Sequence, residues 1–68
     1  MNLENRVKEL RHAQGMTQED LAESLGVSRQ TVISIEGGRY SPSLPLALKI
    51  ARVFRKAVED VFSLGANE

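Results

Sequence analysis

Residues 16–38 read MTQEDLAESLGVSRQTVISIEGG and predict two short helices joined by a tight turn. Thr17 is a suitable N-cap for the first helix, and Gly26 is suited to the left-handed position that ends it. Ser28 can cap the second helix, which should end before Gly37. This spacing leaves a link of about three residues, and two short helices with such a link are typical of a helix-turn-helix.

Helical periodicity continues on both sides of this stretch. Leu3, Val7 and Leu10 recur at the spacing of one helical face and predict a first amphipathic helix ending near Gly15. Ser43 should cap a fourth helix. Its predicted apolar face consists of Leu44, Ala47, Leu48, Ala51 and Phe54, and a short fifth helix carries Val58, Val61 and Phe62.

No segment of the chain shows the alternation of apolar and polar residues that is typical of a strand. We therefore predict an all-α fold, a compact five-helix single domain over residues 1–68. Its core should occupy about residues 3–62, and residues 63–68, which contain little to bury, should form a flexible tail.

Composition excludes several classes of protein. The 68 residues include no cysteine and one histidine, which excludes a disulfide framework and a thiolate or histidine-rich metal centre. No acid–base pair faces a plausible cleft, so we expect no enzyme, no cofactor and no metal. No apolar run approaches the roughly 20 residues that span a bilayer, and the polar N-terminus is unlike a signal peptide. We expect a cytoplasmic protein without a membrane segment.

Charge is balanced overall but unevenly distributed. Nine basic and nine acidic residues give a net charge of zero. Residues 1–27 have three basic and five acidic groups (−2), residues 28–56 have six and one (+5), and residues 57–68 have three acids (−3). The second helix of the helix-turn-helix falls in the basic segment, so neutrality does not argue against nucleic-acid binding. It does predict a modest, salt-dependent nonspecific affinity.

The third helix, which follows Ser28, has one face without an obvious packing role. Val32 and Ile35 can anchor the helix to the core. The remaining side chains are of the types that read base edges in the major groove, and they are Arg29, Gln30, Ile33 and Ser34. On composition alone, the favoured interpretation is that they are solvated surface residues. Their position at the start of the second helix of a helix-turn-helix favours base reading.

Residues 16–38 resemble the Cro and lambda-repressor-type helix-turn-helix family, also called XRE-type regulators. The later runs PSLPLALKIA at residues 42–51 and EDVF at residues 59–62 are similar to small stand-alone members. The resemblance covers about residues 4–63. It implies a lambda-repressor-like DNA-binding domain and a role in transcription regulation.

The resemblance also implies roles for single residues. Arg29, Gln30 and Ser34 match base-reading positions, and Ile33 shares their exposed face. Four positions match phosphate contacts: Gln18, which would also brace the recognition helix, Thr31, Arg39 and Tyr40. Tyr40 could instead be a packing residue at the rim. Arg11 and Glu36 match an ion pair that holds the first helix to the end of the third.

Three positions depart from the family pattern. Gly37 replaces the usual asparagine, Arg55 replaces a glycine after the fourth helix, and Ala57 replaces a serine that often caps the fifth helix. The second change implies a strained backbone, and the third a weakly capped helix.

The predicted function is sequence-specific binding of double-stranded DNA by a transcriptional regulator, as a repressor, with the third helix in the major groove. A homodimer would place two recognition helices about 34 Å apart on a palindromic or pseudo-palindromic operator. The predicted dimer surface consists of Leu46, Val53, Val61, Phe62 and Leu64. The same residues could equally pack between the last two helices. The alternative is an antitoxin-type interaction module that neutralises a protein partner through its apolar C-terminal surface and autoregulates.

Overall fold

The computed structural model describes residues 3–65, which form five helices and one two-stranded sheet. The elements are β1 (Leu3–Asn5), α1 (Val7–Ala13), α2 (Gln18–Leu25), α3 (Arg29–Glu36), α4 (Leu44–Val53), α5 (Val58–Val61) and β2 (Phe62–Leu64). The predicted five-helix, all-α class is confirmed.

The predicted N-caps begin the three longest helices. The Thr17 hydroxyl accepts from the backbone N–H of Asp20, whose carboxylate accepts in return from the N–H of Thr17, so α2 starts with a capping box. Ser28 and Ser43 cap α3 and α4 in the simpler way. Gly26 ends α2 at φ 73°, a left-handed conformation that glycine adopts without a steric cost.

The two strands correct the prediction at both ends of the chain. Leu3 was assigned to the first helix but lies in β1, where it pairs antiparallel with Leu64. Ser63 and Leu64 were assigned to the tail but form β2, whereas residues 66–68 of that predicted tail lie outside the described residues. Pairing satisfies the backbone hydrogen-bonding groups of the two segments. Each segment is too short for the alternating pattern of a strand to be recognised in the sequence.

The core lies between α1, α2, α3, α4 and α5, and α4 buries Ala47, Ala51 and Phe54 as predicted, but its buried face is shifted at the edges. Ile50, which was left out of the predicted face, is completely buried. Leu44 and Leu48, which were included, are 66% and 50% exposed. Helix α4 is apolar on several sides, so periodicity alone did not indicate which side faces the core. The side actually buried carries Ala47, Ile50 and Ala51, followed by Phe54.

Both departures near the C-terminus have the expected local effect. Arg55 has φ 57°, the left-handed conformation that costs a residue with a Cβ about 1–2 kcal/mol. Ala57 precedes α5 without a capping side chain, and α5 has four residues. Among residues 3–65, none of the helices is long and apolar enough to cross a membrane.

Candidate nucleic-acid interface

Helix α3 has one buried side and one outward side. Val32 and Ile35 are each 1% exposed and anchor the helix in the core. Arg29 and Gln30 at its first turn are exposed, and the next turn on the outward side carries half-buried Ile33 and Ser34. The four residues predicted to read bases therefore occupy the side of α3 that faces away from the core.

The structure brings most of the predicted contact residues into two shallow depressions. Gln30, Thr31, Ser34 and Tyr40 line one of them together with Ser28. Predicted base-reading and phosphate-contacting side chains thus lie side by side along the outward side of α3.

The second depression joins the start of α2 to the start of α3. Gln18 and Arg29 both line it, and so do Thr17 and the acidic Glu19. Backbone N–H groups at a helix N-terminus and the Arg29 guanidinium favour an anion such as a phosphate, whereas the Glu19 carboxylate opposes one.

Two residues of the loop after α3, Arg39 and Tyr40, are fastened to the helix through the same carbonyl. The backbone oxygen of Ser34 accepts from the N–H of Arg39 at 2.9 Å and from the N–H of Tyr40 at 3.3 Å. Gly38 allows this reversal at φ 75°. Both exposed side chains predicted to contact phosphate therefore start from backbone that is held against α3.

Arg11 and Glu36 form a bidentate ion pair between α1 and the last residue of α3. The Arg11 Nε donates to Glu36 Oε2 at 2.6 Å and its Nη2 donates to Oε1 at 3.2 Å. The two side chains are 7% and 5% exposed. Arg11 Nη1 also donates to the carbonyl of Met16 at 2.8 Å, so the same guanidinium ties the α1–α2 loop to the pair.

Gln18 joins this network from the start of α2. Its Nε2 donates to Glu36 Oε1 at 3.2 Å, which gives the predicted bracing of the recognition helix a specific partner. Its contact with a phosphate stays a prediction. The carboxylate of Glu36 thus accepts from both α1 and α2, and three helices meet at one buried group.

The pKa of Glu36 lies below its ordinary value. Burial of the carboxylate acts to raise the pKa. The hydrogen bonds from Arg11 and Gln18 and the positive charges of Arg11 and Lys8 lower it, and together they outweigh the effect of burial. Glu36 is therefore held as the anion that the buried guanidinium needs.

Asn5 contacts the same end of α3 and was missed by the sequence reading. Its Nδ2 donates to the carbonyl of Ile35 at 2.9 Å, and its Oδ1 accepts from the N–H of Val7 at 3.0 Å. A weak signal was available, because asparagine two residues before a helix can satisfy one of its first N–H groups. Nothing in the sequence pointed to Ile35, which lies 30 positions away.

The predicted dimer surface is only partly available. Val61 and Phe62 belong to the core of the chain, which corrects their assignment to a surface. Leu46 and Val53 are partly buried against that core, and Leu64 is 53% exposed. The short α5 turns its apolar side inward, so packing between the last helices accounts for most of this set.

The basic segment is also not a single DNA-facing surface. Lys49 donates from its Nζ to the carbonyl of Leu25 at 2.9 Å and so fastens α4 to the end of α2. Arg52, Arg55 and Lys56 line a depression at the other end of α4, with Asp60 at its rim. Arg29 and Arg39 are the two basic residues of the segment that flank the outward side of α3.

Comparisons with known proteins agree with this geometry. A family model described as "Helix-turn-helix" matches residues 7–61. An uncharacterized HTH-type transcriptional regulator of Methanocaldococcus jannaschii is 55% identical over 60 residues, covering 88% of this chain and 91% of that protein. The uncharacterized HTH-type transcriptional regulator YgzD of Bacillus subtilis is 56% identical over 62 residues, covering 91% and 94%.

Among solved structures, the restriction-modification controller protein C.AhdI from Aeromonas hydrophila shares the architecture. It matches with a TM-score of 0.75 and 36% sequence identity, over 81% of this chain and 83% of that one. The likeness extends over most of both chains.

Proposed function

Because the chain belongs to the helix-turn-helix family of DNA-binding transcriptional regulators, which are not enzymes, we propose that it reads a specific DNA sequence with α3 in the major groove. One observation carries the proposal. Helix α3 is anchored by Val32 and Ile35 and turns Arg29, Gln30, Ile33 and Ser34 outward at its first two turns. This side combines the chemistry and the spacing that base edges require.

Each outward side chain has a defined capacity on DNA. A guanidinium such as that of Arg29 can donate to both acceptors of a guanine, and the Gln30 amide can bond both edge groups of an adenine. Ile33 offers a methyl surface to a thymine methyl group, and the Ser34 hydroxyl can donate or accept. Specificity would arise from this set because phosphate contacts carry no base information.

Phosphate contacts would fix α3 in the groove. Gln18 and Thr31 lie at the starts of α2 and α3, and Arg39 and Tyr40 lie on the loop that is fastened to Ser34. These four groups flank the base-reading side and would contact the backbone on either side of it. The neutral net charge limits the nonspecific component, so base contacts would supply much of the affinity.

We further propose a homodimer on a palindromic or pseudo-palindromic operator, acting as a repressor in the cytoplasm. One α3 of eight residues reads only a few base pairs, and a second copy would double the contacts at a spacing of about one helical turn. Of the apolar side chains first considered for this contact, Leu64 is the exposed one, with Leu46 and Val53 partly accessible. A domain bound at a promoter would exclude polymerase sterically.

The antitoxin alternative has less support. It requires an apolar C-terminal surface for a protein partner, and Val61 and Phe62 of that surface are buried in the chain itself. In that alternative the outward side of α3 would serve autoregulation only.

Selection from random duplex DNA at low salt tests the proposal, with the mass of the complex measured in solution. We expect enrichment of one sequence with two related half-sites bound by two chains. Gln30→Ala should change the enriched sequence, while Gln14→Ala, an exposed glutamine at the end of α1, should leave it unchanged. Absence of any enriched sequence would contradict the proposal.

A further inference from the structure

Asn5 lies where β1, α1 and α3 meet. It is the last residue of β1 and stands opposite Phe62 of β2 in the antiparallel register. Its amide nitrogen donates to the carbonyl of Ile35, and its amide oxygen accepts from the N–H of Val7. One half-buried side chain therefore satisfies the start of α1 and the end of α3 at the same time.

The carbonyl that Asn5 contacts belongs to the last turn of α3. Carbonyls in this turn have no partner within the helix and must find one elsewhere. The Ile35 oxygen accepts from the N–H of Gly38 at 3.0 Å and from the Asn5 amide at 2.9 Å. The second of these bonds ties the α3 backbone to the sheet, which the loop after α3 cannot do.

The end of α3 is thus held twice by the α1 region. Asn5 precedes α1 and holds the backbone of Ile35, while Arg11 in the last turn of α1 holds the side chain of Glu36. The two attachments come from different elements, since Asn5 lies in β1 and Arg11 in the last turn of α1. Together with the burial of Val32 and Ile35 in the core, they fix the direction of α3 at its C-terminal end.

We propose that Asn5 is a positioning residue for DNA reading: it sets the direction of α3 and thereby the place of Arg29, Gln30 and Ser34 in the groove. The inference rests on the proposed function of α3. Arg29 and Gln30 lie at the opposite end of a helix about 12 Å long. A tilt of about 5° at the Ile35 end moves the other end by about 1 Å, beyond the tolerance of a hydrogen bond of about 0.5 Å.

Asn5→Asp isolates the contact with α3. Aspartate keeps an acceptor for the N–H of Val7 but has no donor for the Ile35 carbonyl. Gln14→Glu, an exposed change of the same charge on α1, controls for the added negative charge. Val58→Ala, a partly buried change on α5, controls for general loss of stability.

Two measurements are made on each full-length variant. The first is the ratio of affinities for the selected duplex and a scrambled duplex at one salt concentration. The second is amide hydrogen exchange by NMR along α3 and its following loop. For Asn5→Asp we expect the affinity ratio to fall about fivefold, the factor of one net hydrogen bond, and the Gly38 amide to exchange faster. Both controls should keep the ratio.

An unchanged affinity ratio in Asn5→Asp, with Gln30→Ala lowering it as expected, would overturn the inference. So would exchange at Gly38 no faster than in Val58→Ala, whatever the DNA result. A third outcome is faster exchange at the end of α3 in a protein that selects no DNA sequence. That result would refute the proposed function, and Asn5 would remain a residue that orients α3.

Discussion

Arg11 and Glu36 are 25 positions apart in the sequence and form a bidentate ion pair whose side chains are almost fully buried. Removing water from two charges is costly, and the pair offsets this cost only while both members are present. Each carboxylate oxygen of Glu36 accepts from Arg11, and one accepts additionally from Gln18. The pair therefore makes the position of α3 dependent on α1 and α2.

Glu36→Gln should reduce the free energy of unfolding by about 3 kcal/mol, because it leaves the Arg11 guanidinium buried without a counter-charge. Urea denaturation followed by circular dichroism measures the change. Glu9→Gln is the matched control, since Glu9 pairs with Arg6 on the surface, where water screens the charges, and it should shift the midpoint far less. Equal midpoints for the two variants would contradict a structural role for the buried pair.

Acid should destabilise the fold through the same carboxylate. The pKa of Glu36 is lower in the folded chain than its ordinary value of 4.5, so the unfolded chain binds a proton first as pH falls. The stabilisation is complete above the unfolded pKa and is lost as pH falls through the lower folded pKa. The free energy of unfolding should therefore decline below about pH 4.5.

The comparison for this pH dependence is Glu36→Gln, which cannot titrate at this position. Its unfolding free energy should decline less steeply over the same acid range. The remaining slope should come from Asp20, whose pKa is lowered by the hydrogen bonds from Thr17, and from Glu9, whose pKa is lowered by Arg6. Parallel pH profiles for the variant and the natural chain would exclude Glu36 as a source of acid sensitivity.

Local signals in the sequence were sufficient for the helices and insufficient for the contacts between distant segments. Thr17, Ser28 and Ser43 each act within a few residues, so the starts of α2, α3 and α4 could be predicted. The β1–β2 pair joins the two ends of the chain with three residues on each side, too few for a strand pattern to appear. Its pairing depends on the packed helices that bring those ends together.

The same limit applies to the candidate site. The outward position of Arg29 and Gln30 could be predicted once Val32 was assigned to the core, because helical geometry determines which side chains lie on opposite sides. The contact between Asn5 and Ile35 could not be predicted, since it depends on the tertiary position of β1. The predicted face of α4 included Leu44 and Leu48 in place of Ile50 for a related reason: several sides of α4 are apolar, and the neighbouring helices determine that Ile50 is buried.

Arg55→Gly should stabilise the fold by about 1 kcal/mol. Arg55 has φ 57°, and glycine adopts this conformation without the steric cost of a Cβ. The control is Lys56→Gly at the next exposed position, which is not left-handed, and there glycine should destabilise. Thermal unfolding should show midpoints shifted in opposite directions, by about 4–8 °C per kcal/mol for a domain of this size. A lower midpoint for Arg55→Gly would show that the arginine side chain contributes more than its backbone strain costs.

Ala57→Ser should stabilise α5 by about 1 kcal/mol, because a hydroxyl at this position can accept from an N–H of the first turn that now has no capping side chain. Ser43→Ala, which removes the existing cap of α4, provides the reference for the size of a cap in this chain. Urea midpoints of the two variants should move by similar amounts in opposite directions. No gain from Ala57→Ser would mean that a cap adds nothing to the packing of Val58 and Val61 that holds α5.

Gln30→Ala and Arg39→Ala should weaken DNA binding in different ways. Gln30 lies on the outward side of α3, so its loss should cost about 1–3 kcal/mol at one base position and relax the preference there. Arg39 lies on the loop fastened to Ser34, so its loss should weaken binding to all sequences and reduce the slope of log affinity against log salt by about one. Titrations of the selected duplex and of single-position variants, at several salt concentrations, separate the two effects. If Gln30→Ala weakened every duplex equally with an unchanged salt slope, Gln30 would be an uncharged phosphate contact, and the bases would have to be read by other residues of α3.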